Sequence, residues 1–408
     1  MRSKILLYTF CTLVLSSYAF SIGQWKVFPY NQLKDFKYSV SSLLEVITVS
    51  SMKDSFTKKE LGGNEKNRLF GNFVDLNSIS LTESAQLNNF EFRWGRIEEG
   101  AIGKVGAAEM KGDKLWYVNQ NSPQLIDYLS LKNKISHNGG IKAIFSLGET
   151  DYAYVAYVEI GCASARIINL TTRDVVLQLP CISNLKKVNL NNVGGGWIKL
   201  SEREVLLAIG APTTANVGGE INQLAQSDKS FWGKILRLEQ DGNKLKAKVF
   251  TKGHRNAQGI AQIGLDLVAV EQGPRGGDEI NLIIEGSNYG WPYQSLGSEY
   301  DLTSINKSFV NPILSQIPLF SFVPSIGISS INNCPQSYIE YYAPNKCLAV
   351  SSMRGNAIYF IVYQKYKTLF TEKIDLDSRI RKLFVEGDVV IGLTDYEGVI
   401  VGNIIAMK

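Results

Sequence analysis

The stretch GGWIKLSEREVLLAIG, residues 195–210, shows the design on which the fold depends. Small residues lead into a first strand, the polar letters SERE mark a turn, and the apolar run VLLAI returns as a second strand. Five other stretches share the design: GKVGAAEMKGDKLWYVN (103–119), GIKAIFSLGETDYAYVAY (140–157), QGIAQIGLDLVAVEQG (258–273), CLAVSSMRGNAIYFIVY (347–363) and SRIRKLFVEGDVVIGLTD (378–395). Six such hairpins in one chain indicate a repeated structural unit.

The spacing of the six hairpins sets the size of the unit. Their starts lie tens of residues apart, which leaves room for two more strands after each hairpin. No long amphipathic helix interrupts the repeats, so the class is all-β. Six such units closed in a circle predict a six-bladed β-propeller of four-stranded antiparallel blades, since closure removes exposed sheet edges. A sandwich is the alternative, but about 300 residues of repeat are too many for one sandwich.

The sequence divides into three parts. Residues 1–19 are predicted to be a signal peptide, and residues 96–408 are predicted to form the propeller. Residues 20–95 have no consistent period and are predicted to supply a closing strand or a cap, between which the pattern does not decide.

The first residues predict export to the periplasm or the cell exterior. Arg2 and Lys4 precede the apolar run ILLYTFCTLVL, and Ser17 and Ala19 are small residues at the positions that a signal peptidase reads. That run is too short to span a bilayer, and no later stretch approaches about 20 uninterrupted apolar residues, so no transmembrane anchor is expected. The net charge of +5 falls to about +3 without the signal. A nucleic-acid partner is therefore not expected.

Four cysteines remain after the signal, an even number for an oxidising compartment. Cys162 and Cys181 flank a predicted hairpin whose turn lies midway between them, which places their sulfurs opposite each other. Cys334 and Cys347 are candidates for a second disulfide, although the stretch between them shows no clear pairing. Four buried free thiols are the alternative.

Several motifs carry a family resemblance: FWGKILRLEQDGN (231–243), GHRNAQGIA (253–261), EQGPRGGDEINLIIEGSNYGWP (271–292), VPSIGISS (323–330), MRGNAIYF (353–360) and RIRKLFVEGD (379–388). Together they resemble the glucose/sorbosone dehydrogenase family, the pyrroloquinoline-quinone-dependent aldose dehydrogenases with a six-bladed propeller. The resemblance covers roughly residues 100–405 and is densest between residues 230 and 295. It implies a pocket for the quinone and a calcium ion.

The resemblance assigns cofactor-binding roles to specific residues. Arg255 and Asn256 match the arginine and asparagine of the family's HRN motif, and Arg379 and Arg381 match its paired arginines in the last blade. Guanidinium groups suit the carboxylates of the quinone because they present paired donors in a fixed plane. Backbone oxygens of the QGP segment, at Gly273 and Pro274, match the family's calcium ligands.

The catalytic positions depart from the family pattern. Asn192 takes the place of the histidine that removes the sugar's hydroxyl proton, and Ala211 takes the place of its aspartate partner. An amide does not accept a proton at neutral pH, so the resemblance predicts that the usual base is lost. The family's lysine is replaced by Met353, and its arginine after the histidine by Gly196. His137, also followed by two glycines one residue later, is the other candidate base; a solvent-exposed loop histidine is the alternative.

Two classes of function follow. The first is an exported sugar dehydrogenase that uses pyrroloquinoline quinone to oxidise aldoses, with its base altered. The alternative is a non-catalytic propeller that binds a saccharide or a protein partner through one face. Calcium-dependent hydrolysis is a third class, against which stands the lack of a convergent set of carboxylates and amides for a catalytic calcium. Whether the chain is an enzyme is not decided by the sequence.

Overall fold

The computed structural model describes residues 71–76, 79–98, 103–212, 220–242, 244–298 and 314–407. The signal predicted at residues 1–19 lies outside these ranges. Among the residues described, no helix is long and apolar enough to span a bilayer.

Twenty-four strands account for most of the described chain. They are β1 (Asn72–Asp75), β2 (Glu83–Gln86), β3 (Phe90–Ile97), β4 (Val105–Lys111), β5 (Lys114–Asn119), β6 (Gly140–Leu147), β7 (Thr150–Glu159), β8 (Cys162–Asn169), β9 (Val175–Gln178), β10 (Gly194–Ser201), β11 (Glu204–Ile209), β12 (Lys234–Asp241), β13 (Lys244–Lys252), β14 (Ala257–Ile263), β15 (Asp266–Glu271), β16 (Asp278–Leu282), β17 (Phe320–Phe322), β18 (Ile328–Asn333), β19 (Lys346–Ser352), β20 (Ala357–Gln364), β21 (Lys367–Asp375), β22 (Ile380–Glu386), β23 (Val389–Thr394) and β24 (Val399–Ala406).

The described helices are short. They are α1 (Pro123–Tyr128), α2 (Glu220–Gln223) and α3 (Gln336–Tyr342), with 3-10 turns at Leu185–Lys187 and Leu190–Asn192. They connect strands and contribute little of the core.

The strands form six antiparallel sheets arranged as the predicted six-bladed propeller. Four sheets have four strands, in the orders β6-β7-β8-β9, β10-β11-β12-β13, β14-β15-β16-β17 and β18-β19-β20-β21. The other two have three strands (β1-β5-β4) and five (β2-β3-β24-β23-β22) among the described residues. The innermost strands contact one another in a ring, in the order β4, β6, β10, β14, β18, β22 and back to β4.

The sequence repeat and the blades agree in five of the six units. In those five, the quoted hairpin holds the first two strands of a blade. The stretch at 347–363 instead holds β19 and β20, the second and third strands of its blade. The innermost strand is β18, whose sequence ISSINN is too polar to stand out as an apolar strand. The sequence pattern therefore places the start of that unit one strand too late.

Burial follows the position of a strand within its blade. In the second strand β7, the run YAYVAY is buried on both faces because two neighbouring blades cover the sheet. The outermost strand β21 instead alternates exposed and half-buried residues over much of its length. Tight turns join many of the strands, and Gly264 and Gly387 take left-handed φ values of +61° and +60° there, a conformation that glycine adopts without strain.

The last sheet joins the two ends of the described chain. β3 pairs along its whole length with β24, from Phe90 opposite Ala406 to Ile97 opposite Val399. β24 in turn pairs with β23. The sheet therefore contains strands from both ends of the described chain.

Each innermost strand carries a β-bulge close to its start. The register shifts fall at Gly106, Lys142, Gly195–Gly196, Gln258, Ser329 and Arg381. A bulge inserts one extra residue and re-aims its side chain, and bulges are frequent next to functional sites. Six bulges at the same level of six neighbouring strands form a ring, called the bulge ring below.

Two disulfides join the cysteine pairs singled out in the sequence. Cys162 and Cys181 have Cα atoms 5.5 Å apart, and Cys334 and Cys347 have Cα atoms 5.4 Å apart. The first bond ties β8 to the segment after β9, and the second ties the end of β18 to β19.

Candidate functional site

The candidate residues all lie at one end of the central channel. Arg255 and Asn256 directly precede β14, Asn192 precedes β10, and Arg379 precedes β22. A close approach shows that the starts of neighbouring innermost strands are adjacent: a Cβ on Gly196, near the start of β10, would lie 2.7 Å from the amide nitrogen of Gly259, near the start of β14. The starts of the innermost strands therefore meet at the same mouth of the channel.

Arg255 is buried and its guanidinium is already engaged. Its Nη1 donates to the carbonyl oxygens of Gln272 at 2.8 Å and Gly273 at 3.0 Å. The same group lies 5.5 Å from the ring centroid of Trp291, within cation–π distance. Gly273 is one of the two residues whose oxygens the resemblance assigns to calcium, so Arg255 contacts a residue of that predicted calcium site.

Asn256 connects three parts of the site. Its Oδ1 accepts from the amide of Gly194 at 3.0 Å and from Gln258 Nε2 at 2.7 Å. Its Nδ2 donates to Gln272 Oε1 at 3.0 Å and approaches Asn192 Oδ1 at 3.5 Å. Since Asn256 is fully buried, this network fixes the position of Asn192 relative to the HRN motif.

The HRN motif is held by a buried histidine–glutamate pair. Glu271 accepts hydrogen bonds from the backbone amides of Arg255 and Asn256, and its Oε2 lies 2.9 Å from His254 Nδ1. His254 Nε2 lies 2.9 Å from Thr251 Oγ1, and its ring stacks on Tyr289. Both nitrogens of His254 are therefore engaged inside the protein, which gives this histidine a structural role.

The QGP loop is anchored by an acidic residue. Asp278 accepts from the amide of Gly273 at 3.0 Å and from the amide of Ile328, at the start of β18, also at 3.0 Å. It thereby ties the loop to the next blade. No cluster of three or more His, Cys, Asp or Glu side chains able to hold a metal lies in the described ranges.

The two arginines of the last blade have different surroundings. Arg381 is buried and forms a bidentate pair with Asp395, with distances of 2.9 and 2.7 Å. Arg379 is half exposed, 3.8 Å from the same carboxylate, and donates to the carbonyl of Met353 at 3.3 Å. Asp395 thus orients both guanidinium groups, and Arg379 keeps most of its donors towards solvent.

His137 lies in the loop that precedes β6 and is exposed. Its Nδ1 is 3.0 Å from Ser136 Oγ, and its carbonyl accepts from the amide of Leu190 at 2.8 Å. His137 and Asn138 both take left-handed φ values, 51° and 62°. The loop therefore lies against the segment that carries Asn192, and His137 itself is exposed to solvent.

The positions that differ from the family pattern are closely packed. Ala211 is fully buried beside Ala225 and Trp291, and its amide donates to the carbonyl of Arg255 at 2.7 Å. A Cβ on Gly196 would collide with the backbone of Gly259. An arginine at position 196, where the resemblance expects one, would therefore force β10 and β14 apart.

Glu279 follows Asp278 and provides a test of the loop's electrostatics. Burial, with the nearby charge of Glu271, raises the pKa of Glu279 to about 8, against the hydrogen bond from Asn281. An acid whose pKa is raised in the folded state binds an extra proton there, so the free energy of unfolding should fall as the pH rises from about 4.5 to about 8. We expect Glu279→Gln to flatten this fall, measured by urea unfolding across that range. An unchanged pH slope would contradict the assignment.

Three residues that the sequence did not single out hold the site together: Glu271, Asp395 and Lys142. Glu271 and Asp395 share a signal that could have found them. Each stands at or just after the end of the second strand of its blade, opposite the start of the first, as the pairing of Ala257 with Glu271 shows. Lys142 is the one charged residue of the innermost strand β6.

Comparisons with known proteins fit this geometry. The family model described as Glucose / Sorbosone dehydrogenase matches residues 137–401. The aldose sugar dehydrogenase YliI of Escherichia coli is 38% identical over 143 residues, which are 31% of this chain and 35% of the relative. Quinoprotein glucose dehydrogenase B of Acinetobacter calcoaceticus is 45% identical over 73 residues, 15% of each chain. The chain thus matches about a third or less of the length of these relatives.

The fold is similar to that of a solved structure over almost the whole described chain. The apo-form of the soluble aldose sugar dehydrogenase from Escherichia coli superposes with a TM-score of 0.55 at 18% identity, covering 83% of this chain and 100% of that one. At this identity the likeness bears on the fold alone. The family match extends from the His137 loop to the start of β24 and includes each part of the site described above. The chain therefore belongs to the glucose/sorbosone dehydrogenase family.

Proposed function

We propose that the protein binds pyrroloquinoline quinone at this mouth of the channel and oxidises aldose sugars with it slowly. The observation that supports the proposal is the arrangement of Arg255, Asn256 and Arg379 around one end of the channel, at the positions that match the family's cofactor contacts. Half-exposed Arg379 and the bulged start of β22 present cationic groups there. Such groups suit a planar ligand that carries carboxylates.

The cofactor supplies a hydride acceptor for the anomeric carbon of the sugar when it is bound. The residues of this chain hold and orient it: Arg379 offers free guanidinium donors, and Asp395 keeps that group in place. Asn256 and Gln272 fix the floor of the site through their hydrogen bond. Asn192 cannot take the proton of the sugar hydroxyl, because an amide is not a base at neutral pH, so that proton passes to water and the oxidation is slow.

The calcium ion does not fit the same arrangement. Gly273 O already accepts a hydrogen bond from the Arg255 guanidinium at 3.0 Å, so a calcium ion on the same oxygen would lie beside a group of like charge. Calcium binding at Gly273 and Pro274 would require Arg255 to withdraw. We therefore propose that the quinone binds with little dependence on calcium.

Export is part of the proposal. The signal predicted at residues 1–19 and the two disulfides support a periplasmic or extracellular protein, since disulfides persist in oxidising compartments. An external location would also place the protein where free sugars are available.

A titration tests this proposal. Purified protein is mixed with pyrroloquinoline quinone, with calcium or with EDTA, and the cofactor's absorbance and then dye reduction with a panel of aldoses are followed. We expect saturable binding that EDTA leaves nearly unchanged, with slow dye reduction. Absence of saturable binding under both conditions would refute the proposal, and binding lost with EDTA would refute its calcium part.

A non-catalytic propeller that binds a saccharide or a protein partner is the second candidate. The observation in its favour is that the base position is an amide held by Asn256 while Arg255 covers the Gly273 oxygen. This candidate expects no turnover with any aldose and a rise in melting temperature with a saccharide in the absence of quinone. Dye reduction above that of a heat-denatured sample would exclude it.

A further inference from the structure

Lys142 has an unusual position for a lysine. It is the extra residue of the β-bulge in β6, between the pairs Ile141–Val155 and Ala143–Tyr154. Its side chain is buried, at 7% exposure, and its Nζ donates to the carbonyl oxygen of Asn138 at 2.8 Å. In the described part of the chain no carboxylate pairs with this ammonium. One hydrogen bond leaves two of its three donors for other partners.

A second buried lysine shows how such a group is satisfied when its role is structural. Lys234 is fully buried, and its Nζ donates to three carbonyl oxygens, those of Leu224, Ala225 and Trp232, at 2.8–3.1 Å. All three donors of Lys234 are used. Lys142, near the start of β6, has one acceptor where Lys234 has three. Buried polar groups are normally hydrogen-bonded, so the two remaining donors of Lys142 indicate a ligand-binding position.

The bulge ring places Lys142 next to further positive charge. In the ring, Gly106 of β4 lies between Lys142 of β6 and Arg381 of β22, and Gly106 has no side chain. Lys104 lies two residues before Gly106, close enough for its charge to act on Lys142. Burial, then the charges of Arg381 and Lys104, hold the pKa of the Lys142 ammonium well below its usual range.

The local charge is not balanced by the described residues. Asp395 is the carboxylate that pairs with Arg381, and it is shared with Arg379. The charges of Lys104 and Arg381 thus act on Lys142, and of these three cationic groups Arg381 pairs with the Asp395 carboxylate. A buried cation without a counter-charge is costly, and an anion that binds beside Lys142 would relieve that cost.

We propose that Lys142, together with Arg381 across Gly106, forms a binding site for a carboxylate group of a small polycarboxylate. The inference rests on the proposed function, because it identifies the chain's own replacement for the ammonium that is lost at Met353. The new ammonium comes from the second blade and not from the fifth. The carbonyl of Met353 accepts a hydrogen bond from Arg379. Met353 therefore lies at the same mouth of the channel as Arg379 and Lys142.

The test compares Lys142→Met with Lys142→Arg and a matched control. Lys199→Met removes the same charge from an exposed residue that pairs with Glu202 at the far end of β10. Citrate is the probe of the anion site and pyrroloquinoline quinone is the probe of the proposed function, both by isothermal titration calorimetry. Circular dichroism and melting temperature establish that each variant is folded.

We expect Lys142→Met to weaken citrate and quinone binding about 10- to 100-fold, the range of a lost charge-assisted hydrogen bond. Lys142→Arg should retain most of the affinity, and Lys199→Met should bind like the wild type. Equal binding of both probes by Lys142→Met and the wild type would overturn the site and leave the proposed function intact. Citrate binding that depends on Lys142 without quinone binding would support the site and overturn the proposed function. A wild type that binds neither probe overturns both.

Discussion

The double variant Asn192→His/Ala211→Asp is expected to reduce dye with an aldose about 10²–10⁴-fold faster than the wild type, the range that a general base contributes. A histidine at position 192 supplies a proton acceptor at the site where Asn256 now approaches the amide. An aspartate at position 211 orients that histidine and stabilises its protonated form. The measurement is the rate with saturating pyrroloquinoline quinone.

The single variants are the controls for this experiment. Ala211 is fully buried beside Ala225 and Trp291, so Ala211→Asp alone places an unpaired carboxylate in an apolar cluster and should destabilise the protein without a gain in rate. Asn192→His alone should give a smaller gain because the ring is not oriented. A double variant that is folded and binds quinone, but turns over no faster than the wild type, would contradict the assignment of position 192.

Glu271→Ala is expected to lower the free energy of unfolding by about 3–5 kcal/mol, because three buried donors lose their acceptor at about 1–3 kcal/mol each. The carboxylate holds His254 and the backbone amides of Arg255 and Asn256, and its removal leaves all three without their acceptor. Urea unfolding measures the change. Quinone binding should fall with it, because Arg255 loses its anchor.

Glu372→Ala is the matched control for that variant. Glu372 is equally buried, but it accepts from one backbone amide, that of Asn88, and lies away from the channel mouth. Its removal should cost less and leave ligand binding unchanged. Equal losses of stability in the two variants, with quinone binding intact in both, would show that Glu271 does not position the HRN motif.

The fold was largely predictable because each blade repeats one local design. A small residue, a strand, a turn and a returning strand are encoded within about 16 residues, so the hairpins could be recognised one at a time. The innermost strand of the fifth blade is the exception, because Ser329 and Ser330 interrupt the apolar pattern of β18. The hairpin of β19 and β20 has the same design one strand later, so the pattern identifies that hairpin instead. Local pattern finds a hairpin, but only pairing across the sheet tells which strand is innermost.

The site was predictable only where a motif named its residues. Arg255, Asn256 and Arg379 lie before innermost strands and meet at one mouth of the channel. Their supports were missed: Glu271 stands 16 residues after Arg255 and Asp395 stands 14 residues after Arg381, and their only signal is their place at the end of the second strand of a blade. Lys142 depends on the ring of bulges, which exists only when six strands are side by side.

The pairing of β3 with β24 has a consequence for how the chain reaches its native state. The two strands are separated by about 300 residues, so the last sheet has a very high contact order, and contacts of this range form slowly. Until β24 is in place, both β3 and β23 present unpaired edges that can join strands of other molecules. The step that completes the ring is thus also the step that ends the chain's exposure to aggregation.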